Sequence, residues 1–110
     1  MAVSYAYDLF ATATPADTNL ATLLTLGATE ELVQAEVMCC NKSASDLTVR
    51  VGIGTGASPD AYLCYDFTLY ANLFVRFYIP GLGSSNKVFV RTSSASNVDF
   101  SISGLKKTTA

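Results

Sequence analysis

Between Ala61 and Leu105 apolar and polar residues alternate in short runs, and each run closes in turn residues. A period of two places successive side chains on opposite faces, so these runs predict strands with one buried face. Lys87-Val-Phe-Val-Arg-Thr-Ser93 sets Val88, Val90 and Thr92 against Lys87, Phe89, Arg91 and Ser93. Asn97-Val-Asp-Phe-Ser-Ile-Ser103 sets Val98, Phe100 and Ile102 against Asp99, Ser101 and Ser103. Ser94-Ala-Ser-Asn97 between them has the small polar residues of a hairpin turn, and Pro80–Asn86 is a breaker loop.

The rest of the chain extends the pattern. Val3–Phe10 predicts a first strand, and Ala11–Asn19, with Pro15 and Asp17, a turn region. Leu20–Leu26 fits a helical turn as well as a strand; its threonines and Gly27 favour the strand. Thr29-Glu30-Glu31 has the form of a helix start, but Val33, Ala35, Val37 and Cys39 alternate with Gln34, Glu36, Met38 and Cys40. Leu32–Cys40 is therefore read as a strand and Gly27–Glu31 as a loop. Leu47, Val49, Val51 and Ile53 predict the strongest strand of the first half. Gly54–Asp60 is a loop, Ala61–Asp66 a short strand, and Phe67–Asn72 a turn. In Leu73–Ile79 both faces are apolar, which predicts a central strand or one covered by a partner.

About eight strands at spacings of roughly ten residues predict an all-β, jelly-roll-like sandwich. At 110 residues the chain forms one domain, long enough for a core without disulfide staples. Val49, Val51, Ile53, Val88, Val90, Val98, Phe100 and Ile102 are its expected core.

No stretch predicts catalysis. Without histidine a Ser-His-Asp system is impossible. Gly52-Ile-Gly-Thr-Gly-Ala57 matches a dinucleotide fingerprint only in letters: a helix must follow to meet the pyrophosphate, and here a loop and a strand follow. Asp60 and Asp66 are too isolated for a calcium site. Cys39, Cys40 and Cys64 lack metal spacing and read as free thiols of a protein made in a reducing compartment. No cofactor and no metal is expected. Tyr62, Tyr65, Tyr70 and Tyr78 are candidates for a sugar platform, though packing explains them more simply.

Charge narrows the partners. The net charge of −2 argues against nucleic acid, which needs a basic footprint. The start of the chain lacks the basic region of a secretory signal, and no apolar run reaches the ~20 residues of a helical membrane span, so no membrane partner is expected. Charged residues are only 15% of the chain, against a usual ~25%, which favours a surface covered by other copies. Residues 1–49 carry Asp8, Asp17, Glu30, Glu31, Glu36 and Asp46 against Lys42, a balance of −5. Residues 50–110 carry Arg50, Arg76, Lys87, Arg91, Lys106 and Lys107 against Asp60, Asp66 and Asp99, a balance of +3. Such asymmetry suits head-to-tail packing. Arg76, alone between Phe74 and Tyr78, is the candidate interface cation, with Glu30, Glu31 or Glu36 of a neighbouring copy as its carboxylate. Against this stands a rim position with the guanidinium in water. Lys106-Lys107 reads as a solvated end.

The segments Cys40-Asn-Lys-Ser, Leu47–Ile53, Asp60–Asp66, Lys87–Arg91 and Asn97–Gly104 together resemble small structural proteins of tailed bacteriophages. The likeness spans roughly residues 32–105 and leaves out the first thirty residues and the Cys39-Cys40 pair. It implies a non-enzymatic β-sandwich of the virion, a decoration or cement protein assembling as trimers on the head. It equally allows a tail, neck or baseplate component; a carbohydrate-binding fibre domain is the alternative from another class. The implied partners are copies of itself and the major capsid protein or tail proteins. The implied location is the virion, assembled in the host cytoplasm.

Overall fold

A computed structural model describes residues 2–109, and its strands follow the alternation of the sequence. They are β1 (Val3–Ala13), β2 (Ala21–Thr25), β3 (Glu30–Asn41), β4 (Leu47–Gly54), β5 (Ala61–Leu69), β6 (Phe74–Ile79), β7 (Lys87–Thr92) and β8 (Val98–Thr109). Two four-stranded sheets form, β1-β8-β3-β6 and β2-β7-β4-β5, with every neighbouring pair antiparallel. Consecutive strands mostly alternate between the sheets, and this interleaved order is that of a jelly roll.

The core lies between the sheets. Val37 and Cys39 of β3 and Val98, Phe100 and Ile102 of β8 meet Val49 and Val51 of β4 and Val88 and Val90 of β7, all essentially without exposure. Seven of the eight expected core residues are fully buried, and Ile53 packs against them half-buried. Phe89 is also buried but lies outside this cluster. It stands opposite Gly52, and a Cβ on Gly52 would come within 2.8 Å of Pro59. The Gly54–Asp60 loop thus folds back over its own sheet, which explains why an outward-facing aromatic is dry.

Asn41 is the polar anchor of the interior. Its Nδ2 donates to the carbonyls of Ser45, Leu69 and Tyr70 at 2.9, 3.0 and 3.2 Å, while Oδ1 accepts from Ser43 N and Oγ. One buried amide therefore ties the β3–β4 turn to the end of β5. Cys39 is buried, Cys40 half-buried on the opposite side of β3, and both are free thiols, as is Cys64. Burial pushes the Cys39 and Cys64 thiols up, so both stay protonated at neutral pH.

Several boundaries differ from the expected ones. β1 runs on to Ala13 through a bulge between Leu9 and Ala11, where the sequence suggested a turn from Ala11. β3 begins at Glu30, inside the expected Gly27–Glu31 loop, because β8 is available as its partner there. β5 does not turn at Phe67: Asp66 adopts φ 52°, and the strand resumes to the buried Leu69. The turn itself is Tyr70–Leu73, with Asn72 at φ 60° and Asp46 Oδ1 accepting from Ala71 N at 2.9 Å. β6 is an edge strand, not a central one; the branch of the expectation that survives is a strand open to a partner. Lys106-Lys107 is not a loose end, since β8 continues to Thr109 between β1 and β3.

Candidate assembly surfaces

β6 points Val75, Phe77 and Ile79 at the core and Phe74, Arg76 and Tyr78 away from it. Phe74 is 58% and Tyr78 62% exposed, so this outer row is open to solvent. Arg76 Nε stands 3.3 Å from Glu36 Oε1 on β3, and its guanidinium lies 5.4 Å from the Phe74 ring centroid. Glu36 is opposite Tyr78 in the ladder. Phe74, Arg76, Tyr78 and Glu36 therefore form one cluster, with the cation held by a carboxylate of its own chain.

Glu30 and Glu31 do not join it. Six residues of extended strand put Glu30 about 20 Å from Glu36. Glu30 accepts from Lys106 Nζ at 2.8 Å and from Gly27 N at 2.8 Å, and these bonds hold its carboxyl below the ordinary range. Glu31 is exposed and opposite Lys107. The expected acidic cluster is thus divided: one member serves β6 and one closes the far end of β3 onto β8.

The surface that the sequence reading missed is β1. Val3–Leu9 is exposed on both faces, since Ser4, Ala6 and Asp8 are as open as Val3, Tyr5, Tyr7 and Leu9. The ladder row Leu9, Ser103, Glu36 and Tyr78 places the odd-numbered side chains here on the same outer face as the β6 cluster. Tyr7 accepts a hydrogen bond from Gln34 Nε2. Between Tyr7 and Tyr78 lies a groove of about 290 Å³ floored by Ala35, Ser103 and Gly104. The usable signal was alternation without a covering partner: both phases of Val3–Leu9 lack the Val, Ile and Leu density of the core strands.

At the end where β5 and β6 approach, Phe67, Tyr70, Leu73 and Phe74 line an apolar notch of about 150 Å³. Phe67 also meets Phe77 edge-to-face at 5.5 Å. On the outer side of the other sheet Arg50 binds Asp66 through two bonds, 2.7 and 3.1 Å, and stacks 3.8 Å over Tyr65. The Arg50 guanidinium holds the Asp66 carboxyl below its usual value. The candidate sugar tyrosines do not make one flat platform: Tyr62 and Tyr65 are nearly perpendicular at 83°, Tyr70 lines the notch, and Tyr78 is on β6. Among the described residues no three His, Cys, Asp or Glu side chains gather as a metal set.

No protein-family model matches the sequence, and no curated protein does. Solved structures do. The fold is similar to that of a subunit of Bacillus endospore appendages, described as disulfide-linked pili, with TM-score 0.60 and 11% identity over 97% of this chain and 88% of that one. It is similar to the coat protein of Tobacco streak virus, with TM-score 0.54 and 8% identity over 97% of this chain and 86% of that one. A chain of a structure described as that coat protein's dimer matches at TM-score 0.52 and 8% identity, over 96% of this chain and 84% of that one. At such identities the likeness is one of fold: this chain has the all-β sandwich that those assembling proteins use.

Proposed function

We propose that the protein is a non-enzymatic structural subunit of a virion that works by assembling with copies of itself. The observation that carries this is the open outer side of the β1-β8-β3-β6 sheet, with Val3, Tyr5, Tyr7, Leu9, Phe74 and Tyr78 all exposed. Isolated surface apolar residues need no explanation, but rows along two strands of one sheet do. The fold shared with a viral coat protein supports the same reading. Within it, the resemblance to small tailed-phage proteins points to decoration of the head, as trimers bound to the major capsid protein, with a place in the tail as its variant. Sedimentation of the purified protein tests self-assembly, and antibody-labelled micrographs of particles test the location. Labelling neither on heads nor on tails would refute the virion placement.

A second reading has one observation in its favour. The pilus subunit is the better structural match of the two, so a subunit of a non-viral filament is the alternative. Fibres formed by the purified protein without any capsid would favour it.

A further inference from the structure

The two sheets treat their edges differently. An exposed strand edge offers unpaired N–H and C=O groups, and proteins that must stay apart blunt it with short strands, bulges, proline or lysine. The β2-β7-β4-β5 sheet is blunted at both sides. β2 has five residues and a register break, and β5 has two register breaks with Asp66 at positive φ. The other sheet is not. β1 presents Val3–Leu9 without proline, lysine or a bulge, and β6 presents Phe74–Ile79 likewise.

We propose that edge β1 of one copy pairs with edge β6 of the next, joining the four-stranded sheets of successive copies head to tail into one continuous sheet. This deepens the assembly reading above and rests on it. Three observations select this joint. Each chain has one open edge of each kind, so a symmetric β1–β1 or β6–β6 dimer would leave the other edge bare, whereas β1–β6 satisfies both. The sheet has an even number of antiparallel strands, so β1 and β6 run in opposite directions. Copies in equivalent orientation then meet antiparallel, the geometry of every pairing already in the sheet. Asp8 is the sole charge of β1 and Arg76 the sole charge of β6, so this joint brings an acidic edge to a basic one, whereas a symmetric joint matches edges of like sign.

Side-chain faces set the register. Tyr5, Tyr7 and Leu9 share the outer face with Phe74, Arg76 and Tyr78. Matching faces and stopping short of the Leu9/Ala11 bulge sets Tyr5, Tyr7 and Leu9 opposite Tyr78, Arg76 and Phe74 of the next copy. Arg76, already over Phe74, gains a second ring in Tyr7. The joint thus covers the exposed row on each side, and Arg76 sits at its centre.

The test uses two variants of the full chain. Y5K/Y7K blocks the β1 edge, and F74K/Y78K blocks the β6 edge. All four residues are solvent-exposed, so each variant is expected to keep the wild-type circular dichroism and melting curve. A double variant that does not fold is replaced by its single change, Y7K or Y78K. Sedimentation velocity and native mass spectrometry are expected to show wild-type oligomers, monomers of each variant alone, and a terminated one-to-one heterodimer when the variants are mixed. Self-association of F74K/Y78K alone would mean a symmetric β1 joint, and self-association of Y5K/Y7K alone a symmetric β6 joint; either overturns the proposal. Both variants assembling like wild type would overturn the joint and leave the assembly reading standing. Wild type remaining monomeric at hundreds of micromolar would overturn both.

Discussion

Phe100 and Asn41 show two ways in which single residues hold this sandwich. Phe100 is the largest fully buried side chain, near the start of β8 and without exposure. Phe100→Ala removes a ring that rigid sheets on both sides cannot refill, so a loss of ~3–5 kcal/mol is expected in denaturant unfolding. An unmoved midpoint would mean that the β8 register is wrong. Asn41 works by satisfaction rather than volume. Asn41→Leu keeps the size but strands the buried Leu69 carbonyl and the half-buried carbonyls of Ser45 and Tyr70, a cost of ~1–3 kcal/mol. The carboxylates add a pH dependence. Thr14 and Lys42 hold Asp99 below its ordinary value, as Arg50 does Asp66 and Lys106 does Glu30. Because the folded values are the lower ones, their stabilisation is present above the unfolded value near 4 and is lost as pH falls through the folded values. The melting temperature is therefore expected to drop below about pH 4, and less steeply in Asp99→Asn. An equal slope in that variant would remove Asp99 from the account. Arg76 is the residue on which the interface reading turns: Arg76→Lys keeps the charge but loses the planar fork, so it should compete poorly with wild type for assembly. Equal occupancy would return Arg76 to a simple pair with Glu36.

At the level of strands, the sequence revealed what repeats every two residues and concealed what interrupts the repeat. Val88–Val90 and Val98–Ile102 were legible because their faces are strictly inside or outside. β5 was legible only as far as Asp66, because Asp66 takes a positive φ within the strand, and a non-glycine residue there carries no sequence mark. The end of β8 was hidden for another reason. Leu105-Lys-Lys-Thr-Thr109 has neither apolar alternation nor a turn, and it is strand only because β1 and β3 flank it. Context overrides propensity in such segments. The candidate site is half legible: Phe74, Arg76, Tyr78 and Glu36 do cluster, whereas the alternation of Val3–Phe10 predicts an ordinary strand, because exposure of both faces depends on which strand lies at the edge. Gly104 is the pivot of this region. It has φ 154°, and a Cβ there would run into the Gln34 carbonyl oxygen and stand 2.7 Å from Ala35 Cα. The β3 register break between Leu32 and Gln34 lies beside it. Gly104→Ala is thus expected to cost ~1–3 kcal/mol and to shift amide resonances along β3 and β1. A variant with wild-type melting and spectra would show that the backbone there relaxes freely.

The molecule as a whole measures 50 × 25 × 21 Å, and its length comes from the long strands of one sheet. β1, β3 and β8 have 11, 12 and 12 residues, while the facing sheet has strands of five to nine. The core cluster runs from Phe100 along β3 as far as Leu32, which is level with Ala6 of the exposed Val3–Leu9 segment. There the sheet depends on ladder pairing, on the buried Leu32 with its two backbone bonds to Leu82, on Lys106 bonded to Glu30, and on that ammonium lying 5.3 Å from the Phe10 ring. β8 is the shared partner: Leu105–Thr109 pairs with Val3–Tyr7 on one side and with Glu30–Gln34 on the other. Ending the chain after Gly104 removes that shared strand without touching Val98, Phe100 or Ile102. The sandwich is then expected to fold with a lowered melting temperature, while hydrogen exchange at residues 3–7 rises to that of open chain and the Leu32 amide stays protected by Leu82. Self-association should disappear at the same time, because an edge that is not held extended cannot template a neighbour. Loss of folding altogether would mean that the two ends form one cooperative unit. Retained protection at residues 3–7 would mean that β1 is held by contacts other than its ladder with β8.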